Sequence, residues 1–298
     1  MTRTLVTGAA GFTGRYVAHV LAGRGHEVHG LVHMHEPGLP DIVRAHEADL
    51  ADLDALKKVV AEVRPDHVIH LAAIAFVAHG DVEQMYRTNV VGTRQLLEAL
   101  AGAPATPSSV LIASSANVYG NALEGALDES IPPAPANDYG VTKVALEYVA
   151  RIYMSRLPII VARPFNYTGR GQSESFLLPK IVAHARKRAP VIELGNLDVA
   201  RDFSDVRTVV ETYARLLAAS DAVGGTFNIC SGQAVSLRSV LEIVARLAGY
   251  EMEVRVNPDF VRSNEVRSLC GSAAKVESVI GPLRHVPLEE TLNWMIQD

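Results

Sequence analysis

A tyrosine and a lysine, Tyr139 and Lys143, lie four positions apart near the middle of the chain. On a helix this spacing places both side chains on one face. A phenol is a poor acid at neutral pH, and a cation one helical turn away lowers its pKa. Ser115 ends an apolar stretch further upstream and could hydrogen-bond the same substrate oxygen. The three side chains could therefore move a proton to or from a carbonyl or hydroxyl oxygen.

A glycine-rich segment near the start of the chain, residues 7–14, indicates what could react beside that oxygen. It follows an apolar strand pattern and precedes helical spacing. In a strand–turn–helix unit, Gly8 would adopt the turn, Gly11 would admit a pyrophosphate, and Gly14 would let the helix pack on the strand. The helix N-terminus would hold the anion. The segment therefore predicts a dinucleotide site, and the tyrosine–lysine pair then predicts hydride exchange with a nicotinamide.

The end of the second predicted strand, residues 27–33, should contact the adenosine ribose. An acid there selects NAD, whereas a cation beside it pairs with the 2′-phosphate of NADP. These positions hold His33, Met34 and His35, and the first acid, Glu36, comes late. The pattern favours NADPH modestly over NADH and leaves both open, with His33 as the candidate phosphate contact.

The acidic balance of the chain argues against general nucleic-acid binding. The chain has 298 residues and a formal net charge of −5, and no apolar run approaches the ~20 residues that a membrane span needs. The first strand begins so close to Met1 that we expect no leader and a cytoplasmic location. Cys230 and Cys270 lack Cys or His neighbours at metal-ligand spacing, which predicts reduced thiols and no metal site.

Strand and helix patterns alternate through residue 165, which predicts an α/β Rossmann fold with a doubly wound parallel sheet. The alternation breaks at Pro164 and the loop that follows. We therefore expect a smaller, interleaved C-terminal substrate domain. Residues 1–165 plus about 203–229 would bind the dinucleotide, and about 166–202 plus 230–298 would bind the substrate. Among the individual elements, a third strand is expected at residues 46–50, and long helices are expected at residues 84–100 and 139–155. Asn89, Gly92 and Thr93 lie in the middle of the first helix, although their propensities do not favour a helix.

Several motifs together make the chain similar to the extended short-chain dehydrogenase/reductases that act on nucleotide sugars. The matching segments are residues 7–14, 49–50, 70–73, 89–93, 114–120, 139–143 and 162–166. The resemblance implies that Ser115, Tyr139 and Lys143 are catalytic and that the two long helices pair with a second subunit in a homodimer. The cofactor contacts it implies, together with the glycine segment, are Gly8, Gly11, Phe12, Thr13, Gly14, His33, Asp49, Leu50, Leu71, Ala72, Ala73, Tyr139, Lys143 and Phe165.

The C-terminal half resembles enzymes that handle GDP-mannose derivatives, at residues 194–202, 227–233 and 262–265. By this resemblance Asn166, Lys180, Arg201 and Arg262 would hold the diphosphate and sugar, and Glu265 the nucleoside ribose. A guanidinium also suits a pyrophosphate on physical grounds.

One departure from the family bears on the reaction. Sugar 4,6-dehydratases of the family have acidic residues directly after the strand-end serine or threonine, where this chain has Ala116 and Asn117. Neither side chain can act as a carboxylic acid or base. The sequence therefore predicts reduction of a 4-keto sugar, with closest similarity to reductases that form GDP-rhamnose. The alternatives are 4-epimerisation with tightly held NAD and, less expected, a non-catalytic dinucleotide sensor.

Overall fold

The computed structural model describes residues 1–34, 38–75, 81–120, 125–260 and 268–297. Strands and helices alternate along the first half of the chain. They are β1 (Arg3–Thr7), α1 (Phe12–Gly23), β2 (Glu27–Val32), β3 (Arg44–Glu47), α2 (Leu53–Val63), β4 (His67–His70), α3 (Val82–Tyr86), a π-helical turn (Arg87–Gly92), α4 (Thr93–Ala101), β5 (Ser109–Ala113), a 3-10 turn (Ala116–Tyr119), β6 (Ala126–Leu127), α5 (Asp138–Tyr153) and β7 (Ile159–Pro164).

The second half contains shorter strands and more helix. Its elements are β8 (Asn166–Thr168), α6 (Leu177–Arg186), β9 (Val191–Leu194), β10 (Ala200–Asp205), α7 (Val206–Ala218), β11 (Thr226–Ile229), β12 (Ala234–Ser236), α8 (Leu237–Ala248), β13 (Glu253–Val256), β14 (Ser268–Gly271), α9 (Ala274–Ile280) and α10 (Leu288–Ile296), with 3-10 turns at Ser220–Ala222 and Pro258–Phe260.

A seven-stranded parallel sheet forms the centre of the fold, in the order β11-β7-β5-β4-β1-β2-β3. One face packs on α1 and α7, and the other on α2, α4 and α5. Strands β5 and β7 are almost entirely buried, because helices cover both faces of a parallel sheet. The strand order reverses at β1, so a crevice opens at the carboxyl ends of β1 and β4, where such folds bind ligands. This confirms the predicted Rossmann fold.

The C-terminal elements form a second group beside this sheet. Strand β10 pairs with β8, β12 and β14, and β6 extends this sheet from the first half of the chain. Helices α6, α8 and α10 share one apolar cluster. The exact limits of the two domains stay a prediction.

One local expectation is wrong. The third strand ends at Glu47 rather than continuing to residue 50. A turn begins at Asp49, because the Asp49 side chain accepts the main-chain N–H of Ala51 at 2.8 Å. The expected helix over residues 84–100 is present, with a π-helical turn in its middle. Gly92 in that turn lies so close to Leu50 that an added Cβ would come within 2.8 Å of the leucine Cβ.

Within the described residues, no helix has both the length and the apolar character of a bilayer-spanning segment.

Candidate active site

The structure brings Ser115, Tyr139 and Lys143 together at the carboxyl end of the central sheet. Ser115 follows β5, and α5 presents Tyr139 and Lys143 from adjacent turns. The side chains are buried, and the Lys143 Nζ lies 5.7 Å from the centroid of the Tyr139 ring. The Lys143 ammonium also donates a 2.7 Å hydrogen bond to the main-chain oxygen of Ala113, at the end of β5. Sheet and helix thus fix the lysine from opposite ends of its side chain.

Burial sets the protonation of these groups. It raises the pKa of Tyr139 well above its ordinary value, while the hydrogen bond from Ser115 opposes the rise. Burial also lowers the pKa of Lys143 to about 8, and the carboxylate of Glu147 opposes this shift. The pKa of Tyr139 is therefore raised rather than lowered as the sequence predicts, because desolvation of the phenol is the largest cause of its shift.

Glu147 belongs to a buried polar cluster directly behind the lysine. Its carboxylate receives two hydrogen bonds from Arg163, at 2.8 and 2.7 Å, and a third from Ser114 at 2.6 Å. Arg163 continues to the Tyr119 hydroxyl, which donates to Asn228 on β11. Because each charge has a partner, the cluster can hold a negative charge near Lys143 without leaving it unsatisfied.

The glycine segment forms a tight cradle between β1 and α1. Gly8 has a φ of +68°, which side-chain-bearing residues rarely adopt. A Cβ added at Gly8 would lie 2.9 Å from the main-chain nitrogen of Ala72. A Cβ added at Gly14 would lie 2.2 Å from the main-chain oxygen of Gly8. Gly11 caps the N-terminus of α1 without a side-chain bond. The exposed N–H groups there suit the pyrophosphate of a dinucleotide, so the cradle fits the predicted cofactor.

Two further residues of the segment contact the C-terminal half. The Thr13 hydroxyl lies 2.8 Å from the Tyr167 hydroxyl, and the Phe12 ring stacks on the Tyr167 ring at 6.1 Å.

A cleft of about 770 Å³ continues from the cradle toward β2 and β3. Six of the predicted cofactor residues line it: Gly8, His33, Asp49, Leu50, Ala72 and Ala73. The cleft has the position expected for adenosine in this fold. Sequence reasoning missed the wall that the start of α3 and the π-helical turn supply, since these residues carry no glycine or strand-end signal. The missed lining residues are Leu31, Ala48, Ala51, Ile74, Asp81, Glu83, Gln84, Arg87 and Thr88.

A buried chain of hydrogen bonds holds the floor of this cleft. The Thr7 hydroxyl accepts the main-chain N–H groups of Leu71 and Ala72, at 3.2 and 3.1 Å, so it must donate to Nδ1 of His70 at 2.7 Å. His70 then carries its proton on Nε2 and donates it to Thr93, 2.9 Å away. Burial, with the charge of Lys143, lowers the pKa of His70 to about 3 and keeps the ring neutral.

Asn89 connects the same region to α5. The side-chain amide of Asn89 donates to the main-chain oxygen of Ile74 at 3.1 Å and accepts the main-chain N–H of Ile74 at 2.8 Å. It also donates to the Thr142 hydroxyl at 3.0 Å. Thr142 in turn donates to the main-chain oxygen of Tyr139. A π-helical turn often marks a functional site, and this one aligns the cleft wall with the helix that carries the tyrosine.

The predicted substrate residues lie on several C-terminal elements. Asn166 is exposed on β8, and β10 carries Arg201, whose guanidinium donates to the main-chain oxygen of Ala200. The Lys180 ammonium donates to the main-chain oxygen of Glu193 and lies 4.5 Å from the centroid of the Phe260 ring. Arg262 and Glu265 lie outside the described residues.

Phe165 directly follows β7, and its side chain is buried in a cluster with Tyr119 and Cys230. Its contact with the cofactor stays a prediction. Cys230 and Cys270 are both free thiols, with only the first fully buried.

The sequence matches the family model described as GDP-mannose 4,6 dehydratase over residues 5–295. The chain belongs to this family. Its members are extended short-chain dehydrogenase/reductases, so the protein is an NAD(P)-dependent enzyme of nucleotide-sugar chemistry. It is 34% identical to GDP-6-deoxy-D-mannose reductase of Pseudomonas aeruginosa, covering 99% of this chain and 96% of the relative. It is 32% identical to GDP-6-deoxy-D-talose 4-dehydrogenase of Aggregatibacter actinomycetemcomitans, covering 94% and 91%.

Solved structures agree with this placement. A protein of Burkholderia cenocepacia J2315 superposes with a TM-score of 0.94 at 50% identity, over 99% of this chain and 97% of the other. RMD from Pseudomonas aeruginosa, complexed with NADPH, gives 0.86 at 30% identity over 100% and 98%. MoeE5 in complex with UDP-glucuronic acid and NAD gives 0.89 at 31% identity over 99% and 98%. The cofactor is therefore NADP or NAD.

Proposed function

We propose that the protein reduces the 4-keto group of a GDP-linked 6-deoxyhexose, with GDP-4-keto-6-deoxymannose as substrate and GDP-rhamnose as product. One observation carries the proposal: Ser115, Tyr139 and Lys143 meet beside the cofactor cradle, while Ala116 and Asn117 follow the serine instead of acids. The names of the two curated relatives, which act on GDP-linked 6-deoxy sugars, support this substrate class.

The residues divide the reaction between them. When bound, NAD(P)H supplies the hydride that adds to C4 of the sugar. The Tyr139 hydroxyl transfers its proton to the C4 oxygen, so the ketone becomes an alcohol and the phenolate is left to regain a proton from solvent. Ser115 donates a hydrogen bond to the same oxygen as its negative charge develops. Lys143 stabilises the phenolate through its positive charge.

On the substrate side, we propose that Asn166, Lys180 and Arg201, together with Arg262 and Glu265, bind the GDP-sugar. A guanidinium binds a pyrophosphate with two parallel hydrogen bonds, which suits Arg201 on β10.

Dehydration needs an acid or base, which neither residue after the serine supplies. Ala116 is buried and has no ionisable atom, and the Asn117 amide is already hydrogen-bonded to the serine. The alternative of 4-epimerisation would use the same three residues with a cofactor that stays bound. The similarity to MoeE5, solved with a nucleotide sugar and NAD, favours keeping this alternative.

Purified protein incubated with GDP-4-keto-6-deoxymannose and NADPH or NADH separates the two reactions. Reduction consumes stoichiometric cofactor and gives GDP-rhamnose, whereas an epimerase brings its own NAD through purification and consumes none. UDP-linked 4-keto sugars form the comparison arm. Absence of cofactor oxidation with every GDP-linked ketone would contradict the proposal.

The Tyr139→Phe variant tests the role of the phenol. We expect kcat to fall by about 10² to 10⁴, because a positioned general acid is lost, while cofactor affinity stays near wild type. Tyr148→Phe is the matched control, since Tyr148 lies on the same helix with 56% of its surface exposed. Equal activity of the two variants would remove Tyr139 from the mechanism.

A further inference from the structure

The hydroxyl of Ser115 is held by a residue that the mechanism above does not use. The main-chain N–H of Asn117 donates to the Ser115 Oγ at 3.1 Å, and the Asn117 side-chain amide donates to the same atom at 3.2 Å. Both donors come from the 3-10 turn that follows β5. Asn117 therefore surrounds the serine oxygen with two N–H groups.

The first turn of α5 determines which way the Asn117 amide points. Asn137 caps this helix, and its Oδ1 accepts the main-chain N–H of Gly140 at 2.8 Å. Its Nδ2 is thereby directed to the Oδ1 of Asn117, 3.5 Å away. The remaining side of the Asn117 amide, Nδ2, must face Ser115. The main-chain N–H of Gly140 thus fixes the orientation of both side-chain amides, Asn137 and Asn117, because a donor must face an acceptor in each hydrogen bond.

Gly140 allows this arrangement to be close. A Cβ at this position would lie 2.7 Å from the main-chain oxygen of Asn117 and 3.0 Å from Pro135. The 3-10 turn and the start of α5 can therefore touch only because position 140 lacks a side chain.

The bonding capacity of a hydroxyl gives the consequence. A serine oxygen accepts two hydrogen bonds and donates one. With both acceptor positions taken by Asn117, the Ser115 hydroxyl is left only as a donor, and in this structure its partner is the Tyr139 hydroxyl. We propose that Asn117 is a positioning residue that makes Ser115 an obligate donor to the C4 oxygen of the substrate. This inference rests on the proposed function, in which that oxygen gains negative charge.

The same geometry explains why an asparagine suits this position better than an acid. A carboxylate at position 117 would have no side-chain N–H to donate to Ser115. It would instead accept a hydrogen bond from the Ser115 hydroxyl. The hydroxyl would then turn away from the substrate. Hydrogen bonds in a chain also strengthen one another, so the two N–H donors make the serine a better donor.

The test is the pH dependence of reduction in Asn117→Asp and Asn117→Ala. At pH 8 we expect kcat to fall about 10- to 100-fold in both variants with little change in KM, less than the 10²–10³ cost of deleting an oxyanion donor outright. In Asn117→Asp alone, the ratio of variant to wild-type kcat should recover as pH falls, because a protonated carboxyl can again donate to Ser115. In Asn117→Ala the ratio should stay constant.

Two further variants complete the experiment. Asn137→Ala removes the partner that orients the Asn117 amide. It should lower kcat by less than Asn117→Ala does, and the ratio to wild-type kcat should not recover at low pH. This variant tests the same contact even if Asn117→Asp does not fold. Asn293→Asp adds a carboxylate on α10, outside the hydrogen bonds that hold Ser115, and should follow wild type throughout. Wild-type kcat in Asn117→Ala, or a constant ratio in a folded Asn117→Asp, would overturn the role of Asn117. A wild-type enzyme that turns over no 4-keto nucleotide sugar would instead overturn the proposed function.

Discussion

At the scale of single residues, Lys143 has to remain charged in surroundings that disfavour a charge. Its ammonium donates to the Ala113 oxygen and is otherwise enclosed by protein. Burial lowers its pKa to about 8, and Glu147 four residues further along the helix limits the shift. The Arg163 guanidinium lies 2.7 Å from the Glu147 carboxylate and holds it in place. The Lys143 ammonium therefore depends on a buried pair of charged residues behind it.

This environment predicts an alkaline limit on activity. Because the pKa of Lys143 is about 8, the cation is present below that pH and is lost as the pH rises through it. We expect kcat/KM for reduction to fall above pH 8. The pH dependence of kcat/KM is the appropriate measurement, because it reports pKa values of the free enzyme. Lys143→Arg should show a lower rate without this limit, since a guanidinium stays charged up to about pH 12. An alkaline limit at the same pH in the arginine variant would show that another group titrates.

At the scale of elements, the turn between β1 and α1 provides the next prediction. Gly14→Ala places a Cβ 2.2 Å from the Gly8 oxygen and should weaken cofactor binding at least about tenfold by displacing the cradle, roughly 1.4 kcal/mol. Gly23→Ala, at the other end of α1, is the matched control because an added Cβ meets nothing within 4 Å. This control should bind cofactor normally and gain up to about 1 kcal/mol of stability. Titration of NADPH into both variants measures the difference, and equal affinities would contradict the cradle.

Elements with a strong local signal could be predicted from the sequence. Helix α2 has such a signal, since its apolar spacing is regular and Asp52 caps it. The π-helical turn could not be predicted, because long-range contacts stabilise it: Asn89 bonds the segment after β4, and Gly92 packs on Leu50. Asn89, Gly92 and Thr93 stood out only as poor helix formers.

The candidate site was predictable in its residue types and less so in its energetics. The spacing of Tyr139 and Lys143 indicates their common face, since that depends only on helix geometry. The direction of the tyrosine pKa shift depends on how completely the phenol is desolvated, which spacing does not contain. The double contact from Asn117 to Ser115 likewise arises from the turn that follows β5.

At the scale of the whole molecule, one apolar surface has no cover within the described protein. Three large side chains recur on one face of α5, and a fourth lies on the neighbouring π-helical turn. They are Val141, Tyr148, Ile152 and Val91, with exposed fractions of 39, 56, 72 and 44%. Helices α4 and α5 pack against each other beside them. A second copy of this face would bury all four, and we therefore expect a two-fold symmetric homodimer.

The face offers a direct test of that assembly. Ile152→Glu should dissociate the dimer, because a two-fold interface loses the contact twice, at about 3–6 kcal/mol for a large aliphatic side chain. Val256→Glu on β13 is the control, since Val256 is 53% exposed on a different element and should leave assembly unchanged. Sedimentation velocity at micromolar concentration should give a dimer for wild type and the control, and a monomer for Ile152→Glu. Helix α5 also carries Tyr139 and Lys143. If the helix becomes less ordered in the monomer, we expect activity to fall as well. A monomeric wild type would exclude a stable dimer, and a dimer that survives Ile152→Glu would move the interface to another surface.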